Sequence, residues 1–380
     1  MTRPDYPTPA NPRVRNAAVF VVVFAVAAIT AFPAFLSTTS LIQSMMPAAQ
    51  QELAGQWLAD LQERDDGLVQ FTLRYEERKG DSDNSWINPN GIALNQLQGL
   101  SRDQAMSPAG VEVKFQIKRD AGSIDCEGWF RSGKGAGHFI FAPNHAFIPE
   151  LNKRGISGTL TDSQLFTLAR TDVGFAVLEE LKSQAYGLPS MDQLVRMSEH
   201  GVRLEFLKGL KAFGAKVASI EMLLSLRDNG VSLTYLEELK RYGFRNLSAE
   251  DLISARSQGV STTYLEVLAK QGYTNLSLDE LIRLRQRGVS ASFIQALRDE
   301  GYPKLSLEQL ARLRESGVSA SFIQDLKQLG YEKLSIEELI RLRSNGVSSS
   351  FIRRVKESGP NRPTVDELIE LRNRGTRKFK

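Results

Sequence analysis

Residues 272–294 read GYTNLSLDELIRLRQRGVSASFI, and closely similar stretches follow at 301–323 and 330–352. Each stretch begins 29 residues after the one before it. A glycine at one point of the phrase keeps this spacing through the C-terminal half, at Gly201, Gly230, Gly259, Gly288, Gly317, Gly346 and Gly375. A constant period of roughly 20 to 50 residues is typical of stacked-repeat proteins, whose units contact chiefly their neighbours. The sequence therefore predicts an extended array, for which binding is a more natural role than catalysis.

Within one repeat, the pattern predicts two short helices. Ser277 is a preferred N-cap residue, and Glu280 three positions later completes a capping box. The same pairing of Ser or Thr with Gln or Glu occurs at 161/164, 190/193, 306/309, 335/338 and 364/367. We expect Gly288 to end the first helix in the left-handed conformation, Ser290 to cap the second helix, and Gly301 to end it. Each repeat is thus predicted to be a helical hairpin.

A single hairpin of this kind buries too little apolar surface to fold alone. Its apolar face is expected to comprise Leu281, Ile282, Leu284, Val289, Phe293, Ile294, Leu297, Tyr302 and Leu305. Burial of these side chains does not offset the entropy lost when 29 residues become ordered, so the repeats must stack. The phase of the caps places the array at 146–375, followed by a basic tail at 376–380.

The N-terminal region contains a long apolar segment. Residues 17–36 carry no charge and, as a helix, are long enough to span a bilayer. Basic residues precede this segment and are absent after it until Arg64, so the positive-inside rule predicts a cytoplasmic arm at 1–16. The sequence predicts a single-pass inner-membrane protein whose bulk is periplasmic or extracellular. The alternative is a periplasmic protein released by cleavage near Pro47-Ala48-Ala49.

Between these two regions the apolar period changes to two. Alternating runs at 69–75, 111–117 and 124–130 predict antiparallel strands joined by hairpins. We expect a small β domain of about four to six strands at 68–145, after a linker or helical stalk at 37–67. The predicted fold class is multi-domain α+β: an N-terminal transmembrane helix, a small antiparallel β domain, and a C-terminal α-solenoid of two-helix repeats.

The residue types that carry chemistry form no recognisable constellation. His138, His145 and His200 lack a His-Glu-x-x-His arrangement. The run GKGAG at 133–137 lacks the Lys-Ser/Thr of a phosphate loop and leads into a predicted strand. The single cysteine, Cys126, lies in a strand pattern that indicates a buried small side chain. We therefore predict no enzymatic activity, no catalytic residues, no metal and no cofactor.

Arginines recur in phase with the glycines. The candidate partner-binding residues stand three positions before a glycine: Arg227, Arg256, Arg285, Arg314, Arg343 and Arg372. A second row, Arg283, Arg312 and Arg341, follows an acidic residue by four positions, which suits ion pairs within one helix. One interpretation is a solvated face whose charges compensate one another. The other is that the six candidate arginines line a groove that binds an anionic partner.

Charge is distributed unevenly along the chain. Residues 201–380 carry 30 Lys and Arg against 22 Asp and Glu, whereas residues 1–200 carry 18 against 22. The basic tail is suited to an anionic envelope polymer or lipid. Nothing favours a nucleic-acid partner, because aromatic residues do not interleave with the basic ones and no recognised binding module occurs.

The repeat phrase resembles tandem repeats of bacterial envelope proteins, which are also found appended to membrane metallopeptidases related to beta-lactam sensors. The similarity is best at 272–294, 301–323 and 330–352, and it extends loosely to the strand region around 126–130 and 135–139. It implies an envelope location and an interaction or sensing role. It carries no catalytic residues to this chain, which lacks the peptidase motif.

Together these observations predict a membrane-anchored, noncatalytic interaction or scaffold protein whose helical-repeat surface binds a protein or an anionic envelope partner. The alternative is a membrane-associated sensor or regulator, in which the β domain or the repeats bind a ligand and signal through a membrane partner.

Overall fold

The computed structural model describes residues 53–61, 68–75, 84–87, 91–357 and 362–377. Eight strands come first: β1 Ala54–Leu61, β2 Leu68–Tyr75, β3 Asn84–Ile87, β4 Ile92–Ala93, β5 Leu97–Gln98, β6 Val111–Arg119, β7 Gly122–Arg131 and β8 Lys134–Pro143. Two short helices flank the last strands: α1 Arg102–Met106 and α2 Phe147–Lys153.

The helical array follows as alternating first and second helices of the repeats. Its first helices are α3 Asp162–Thr171, α5 Met191–His200, α7 Ile220–Asp228, α9 Ala249–Ser257, α11 Leu278–Gln286, α13 Leu307–Glu315, α15 Ile336–Ser344 and α17 Val365–Arg377. Its second helices are α4 Phe175–Ser183, α6 Leu204–Phe213, α8 Leu233–Arg241, α10 Thr262–Lys270, α12 Ala291–Asp299, α14 Ala320–Gln328 and α16 Ser349–Glu357. First helices stack on first helices and second helices on second helices.

The strands form one antiparallel sheet that curls on itself. Their order is β3-β2-β1-β8-β7-β6-β5, and β4 pairs with β2. Only the 3-10 turn Leu94–Gln96 separates β4 from β5, so the β2 end and the β6 end of the sheet lie near each other. Inward side chains from distant strands therefore meet: the ring of Phe71 on β2 lies 6.1 Å from that of Phe115 on β6, and Trp57 on β1 contacts both.

Local capping determines where the helices of the array begin. All six predicted capping boxes are present; for example, the Ser277 hydroxyl accepts from the Glu280 N–H, and the Glu280 carboxylate accepts from the Ser277 N–H. Ser219 and Ser248 cap their helices as well. The glycines from Gly201 to Gly346 have φ between 69° and 76° or 79°, which ends each first helix as predicted.

The last glycine of the series behaves differently. Helix α17 runs through Gly375 to Arg377, so the prediction that this glycine ends the helix is wrong. A Cβ at Gly375 would meet no atom within 4 Å, whereas most of the earlier glycines lie against an arginine of the next repeat. Within the described residues no further repeat follows, so nothing holds the chain to the left-handed turn there.

The sheet closes one end of the array. Phe166 on α3 contacts the rings of Tyr75, Phe139 and Phe141, with centroids 5.0 to 5.8 Å apart. The carboxylate of Asp120, in the β6–β7 turn, accepts the N–H of Phe175 at 2.7 Å and so caps α4. Terminal repeats need a cap for their exposed apolar face, and the sheet supplies it.

The predicted fold class is therefore wrong in several respects. The sheet has eight strands instead of four to six, and β1 lies in the segment predicted to be a linker or stalk. The sheet and the array share one core within the compact unit Leu53–Lys380, so the sheet is not a separate small domain. Among the described residues no helix is long and apolar enough to cross a membrane. The predicted arm at 1–16, the span at 17–36 and the side chains of the tail at 376–380 lie outside the described residues. The tandem helical repeats are confirmed.

Two glycine substitutions test why glycine recurs. Gly259 and Gly272 both have positive φ, so an alanine at either position costs about 1 to 2 kcal/mol. A Cβ at Gly259 would also lie 2.7 Å from an Nη of Arg285, whereas a Cβ at Gly272 would meet nothing within 4 Å. We expect Gly259→Ala to lower the free energy of unfolding, measured with urea, more than Gly272→Ala does. Equal losses would show that backbone conformation alone explains the period.

Candidate functional site

The six candidate arginines lie at the joints between repeats. Each guanidinium lies over the aromatic ring that follows the previous glycine by five positions. The pairs are Arg227 with Phe206, Arg256 with Tyr235, Arg285 with Tyr264, Arg314 with Phe293, Arg343 with Phe322, and Arg372 with Phe351, at 5.0 to 5.4 Å from the ring centroid. This is the geometry of a cation–π contact. We call this arrangement the arginine ladder.

Each rung also contacts the end of the preceding first helix. The Nε atoms of Arg227, Arg256, Arg285, Arg314 and Arg343 donate to backbone carbonyls at or just before the glycine, over 2.9 to 3.2 Å. An arginine on one first helix thereby contacts both helices of the preceding repeat. The guanidinium occupies space beside the glycine, so glycine is required there for its size as well as its conformation.

The ladder has an energetic consequence for its own charges. Burial lowers the pKa of Arg227 below its ordinary value, and most of the other rungs are half-buried. The structure thus gives the six arginines a role in joining the repeats. Their binding of a partner stays a prediction.

The second arginine row pairs across repeats instead of along one helix. Arg312 binds Glu337 of the next repeat through two hydrogen bonds of 2.7 and 2.8 Å, and Arg341 pairs with Asp366 in the same way along the chain. Glu308 is taken by Arg287, so the expected pairing within α13 is wrong. These exposed pairs support the interpretation of charges that compensate one another, and each is worth little in energy.

Tyrosines form another row of contacts between repeats. The hydroxyls of Tyr273, Tyr302 and Tyr331 each donate to a carbonyl 32 residues later, over 2.6 to 2.8 Å. In the ladder, Tyr235 donates to the Val260 carbonyl at 2.9 Å. The hydroxyl of Tyr264, one repeat further on, is buried without a hydrogen-bond partner.

A cleft of about 290 Å³ lies where the sheet meets the first repeats. Its apolar lining includes Leu68, Ile92, Ile117 and Ile124 from the sheet. Its charged lining consists of Arg119, Arg170, Asp172, Arg203 and Glu205. We call it the junction cleft. Sequence reasoning missed it, because its residues come from strands and helices far apart in the chain.

Two of the charges in the junction cleft are paired, and one arginine atom is not. The Nε of Arg119 lies 3.1 Å from the carboxylate of Asp172. The Nε of Arg203 is buried and has no hydrogen-bond acceptor, and burial lowers the pKa of this guanidinium. A buried donor without an acceptor is unfavourable, so the cleft favours a ligand that supplies one.

The remaining chemical residues do not converge. Within the part of the chain that the structure describes, no group of three or more His, Cys, Asp or Glu residues is placed to hold a metal ion. Cys126 is buried on β7, as its strand pattern predicts, and burial raises the pKa of its thiol well above the ordinary value. A thiol in this state is a poor nucleophile.

The chain matches no protein-family model, and no curated protein is significantly similar to it. The functional argument therefore depends on the geometry of the ladder and of the junction cleft.

Replacing one rung tests the ladder. Arg285→Gln is expected to lower the free energy of unfolding by about 1 to 3 kcal/mol, because it removes a cation–π contact and a hydrogen bond to a carbonyl. The control is Arg283→Gln, which removes the same charge from an exposed position on the same helix. Arg285→Lys should recover only part of the loss, since lysine lacks the planar guanidinium. Similar losses for positions 283 and 285 in urea unfolding would contradict the ladder.

The two buried ladder tyrosines form a matched pair. Tyr235→Phe should cost about 1 kcal/mol through the lost hydrogen bond. Tyr264→Phe should leave stability unchanged or raise it, since it removes a buried hydroxyl without a partner. Thermal unfolding of both variants checks this, and a larger loss for Tyr264→Phe would contradict the structure.

The same tyrosines predict a loss of stability in alkali. Burial raises the pKa of Tyr235 and of Tyr264 to about 12. The unfolded chain ionises first, near the ordinary tyrosine pKa of about 10, so stability should fall as pH rises from about 10 towards 12. Urea titrations across this range should show a smaller fall for either Phe variant than for the unmodified chain. An unchanged slope in both variants would oppose this assignment.

Proposed function

We propose that the chain is a noncatalytic interaction protein whose helical-repeat array binds a protein or another anionic partner along the arginine ladder. The observation that carries this proposal is the regular row of guanidiniums, one per repeat, each held in place by a ring and, in five cases, a carbonyl. A guanidinium has five N–H donors, and the contacts described for each rung use one or two of them.

The structural role of the ladder favours binding instead of excluding it. A long flexible side chain normally loses conformational entropy when it binds a ligand. The stacked ring and the carbonyl have already ordered these arginines, so a partner would meet a preorganised row of positive charge. The excess of Lys and Arg over Asp and Glu at 201–380, 30 against 22, acts in the same direction.

The resemblance to repeats of bacterial envelope proteins also supports an interaction role. Binding along a rigid array suits a scaffold, because neighbouring repeats present the same chemistry at a fixed step. An envelope location stays a prediction.

Poly-L-glutamate serves as a probe of the ladder. We expect the purified full chain to bind it, with an affinity that falls as NaCl rises, measured by fluorescence anisotropy. The ladder variant combines Arg285→Gln, Arg314→Gln and Arg343→Gln. The control variant combines Arg298→Gln, Lys327→Gln and Lys356→Gln, which removes three charges from the second helices of the same repeats.

The ladder variant should bind at least about tenfold more weakly than the unmodified chain, and the control should bind with a smaller loss. A third variant with lysine at 285, 314 and 343 keeps the charge and should retain part of the binding. Circular dichroism at the assay temperature verifies that each variant is folded. Equal losses in ladder and control, or no binding at low salt, would refute the proposal.

A second candidate function is a ligand-responsive regulator. The junction cleft favours it, because its lining comes from both the sheet and the first repeats, and a ligand there would contact both.

A further inference from the structure

The repeats depart from their own pattern at one joint. The position of Gly201 and its equivalents holds Asp172 in the first unit. The capping serine, as in Ser232, is replaced by Arg203, and the Thr or Ser two positions later, as in Thr234, is replaced by Glu205. Each departure introduces a charge at a position that is uncharged in the later repeats. All three residues line the junction cleft.

These departures are unfavourable for local structure. Asp172 has φ of 59°, a conformation for which the later repeats use glycine. Arg203 begins α6 without a side-chain capping hydrogen bond, which the serine of each later repeat provides in at least four cases. Residues that break a local rule without stabilising the fold are expected at functional sites.

The local contacts explain what holds Asp172 but not what Arg203 does. The Asp172 carboxylate pairs with Arg119. The buried Nε of Arg203 lacks an acceptor, although the cleft beside it is open to a small ligand. An anionic oxygen at this point would give that donor a charge-assisted hydrogen bond.

We propose that the junction cleft binds a small monoanionic carboxylate with an apolar body, whose carboxylate is held by Arg203. The apolar body would lie against Leu68, Ile92, Ile117 and Ile124, and their burial adds to affinity. Three arginines face two carboxylates in the lining, so one negative charge is compensated, and a dianion such as phosphate would be repelled by Asp172 and Glu205.

This inference gives the second candidate function a ligand class, and it rests on that function only for its biological meaning. Binding in the cleft is measured separately from polyglutamate binding along the ladder, so one proposal can fail while the other stands.

Octanoate is the first probe, with octanol and inorganic phosphate as its neutral and dianionic comparisons. We expect isothermal titration calorimetry of the full chain to detect octanoate binding, and octanol and phosphate each to bind at least about tenfold more weakly. Octanol binding as tightly as octanoate would overturn the role of the carboxylate. Phosphate binding as tightly would overturn the role of the apolar lining.

Restoring the repeat pattern gives variants that should fold. Arg203→Ser introduces the capping residue of the later repeats and should weaken octanoate binding at least about tenfold without lowering the melting temperature. Glu205→Thr removes a repelling charge and should strengthen binding. The control Arg298→Gln, an exposed arginine far along the array, should bind as the unmodified chain does. Unchanged affinity in Arg203→Ser, or weaker binding in Glu205→Thr, would overturn the proposal.

The carboxylate could come from a fatty acid or from the C-terminus of an apolar peptide. The tripeptide Ala-Val-Leu and its C-terminal amide separate these sources. Tighter binding of octanoate than of the free tripeptide identifies an aliphatic acid, and the reverse order identifies a peptide terminus. Both orders support a carboxylate site, whereas equal binding of the tripeptide and its amide contradicts it.

Discussion

The array depends on one contact, in which an arginine lies over an aromatic ring of the preceding repeat and, at five of six joints, donates to a carbonyl at the end of that repeat's first helix. This contact links three positions of the sequence that otherwise look unrelated. The glycine provides the left-handed turn and leaves room for the guanidinium, the ring provides its flat surface, and the arginine three residues before the next glycine closes the joint. A change in the length of any segment between them would separate the three groups, which explains why the period is constant.

The first joint of the array is built differently. In place of the ladder arginine stands Ser198, whose hydroxyl is buried against that of Thr171 at 2.5 Å and also bonds the Thr167 carbonyl. The sheet contributes the remaining contacts, through Phe166 and the Asp120 cap. The junction cleft lies at this same joint. A repeat that must fit a sheet on one side and a helical hairpin on the other cannot keep the common pattern, and this freedom allows charged residues that the later repeats lack.

The accuracy of sequence reasoning followed the range of the interactions involved. The capping boxes were predicted correctly because the groups that bond, such as Ser277 and Glu280, are three residues apart. Strand β1 was missed because Leu58 lies on the outward face, 41% exposed, and interrupts the alternation of buried Trp57 and Ala59 with polar residues. The partner of Arg312 was wrongly predicted because Glu308 on the same helix and Glu337 on the next repeat are equally plausible from spacing alone.

The sequence by itself determined the repeat, its helix boundaries and most of its buried face, since these follow from capping, glycine conformation and apolar periodicity within about 29 residues. It also singled out the six arginines, without showing what they contact. Only the tertiary structure decided that they join the repeats and that the sheet and the array share a core. It alone brought Arg119, Asp172 and Arg203 together, because the position of a strand relative to a helix is set by packing between distant segments, which no local pattern records.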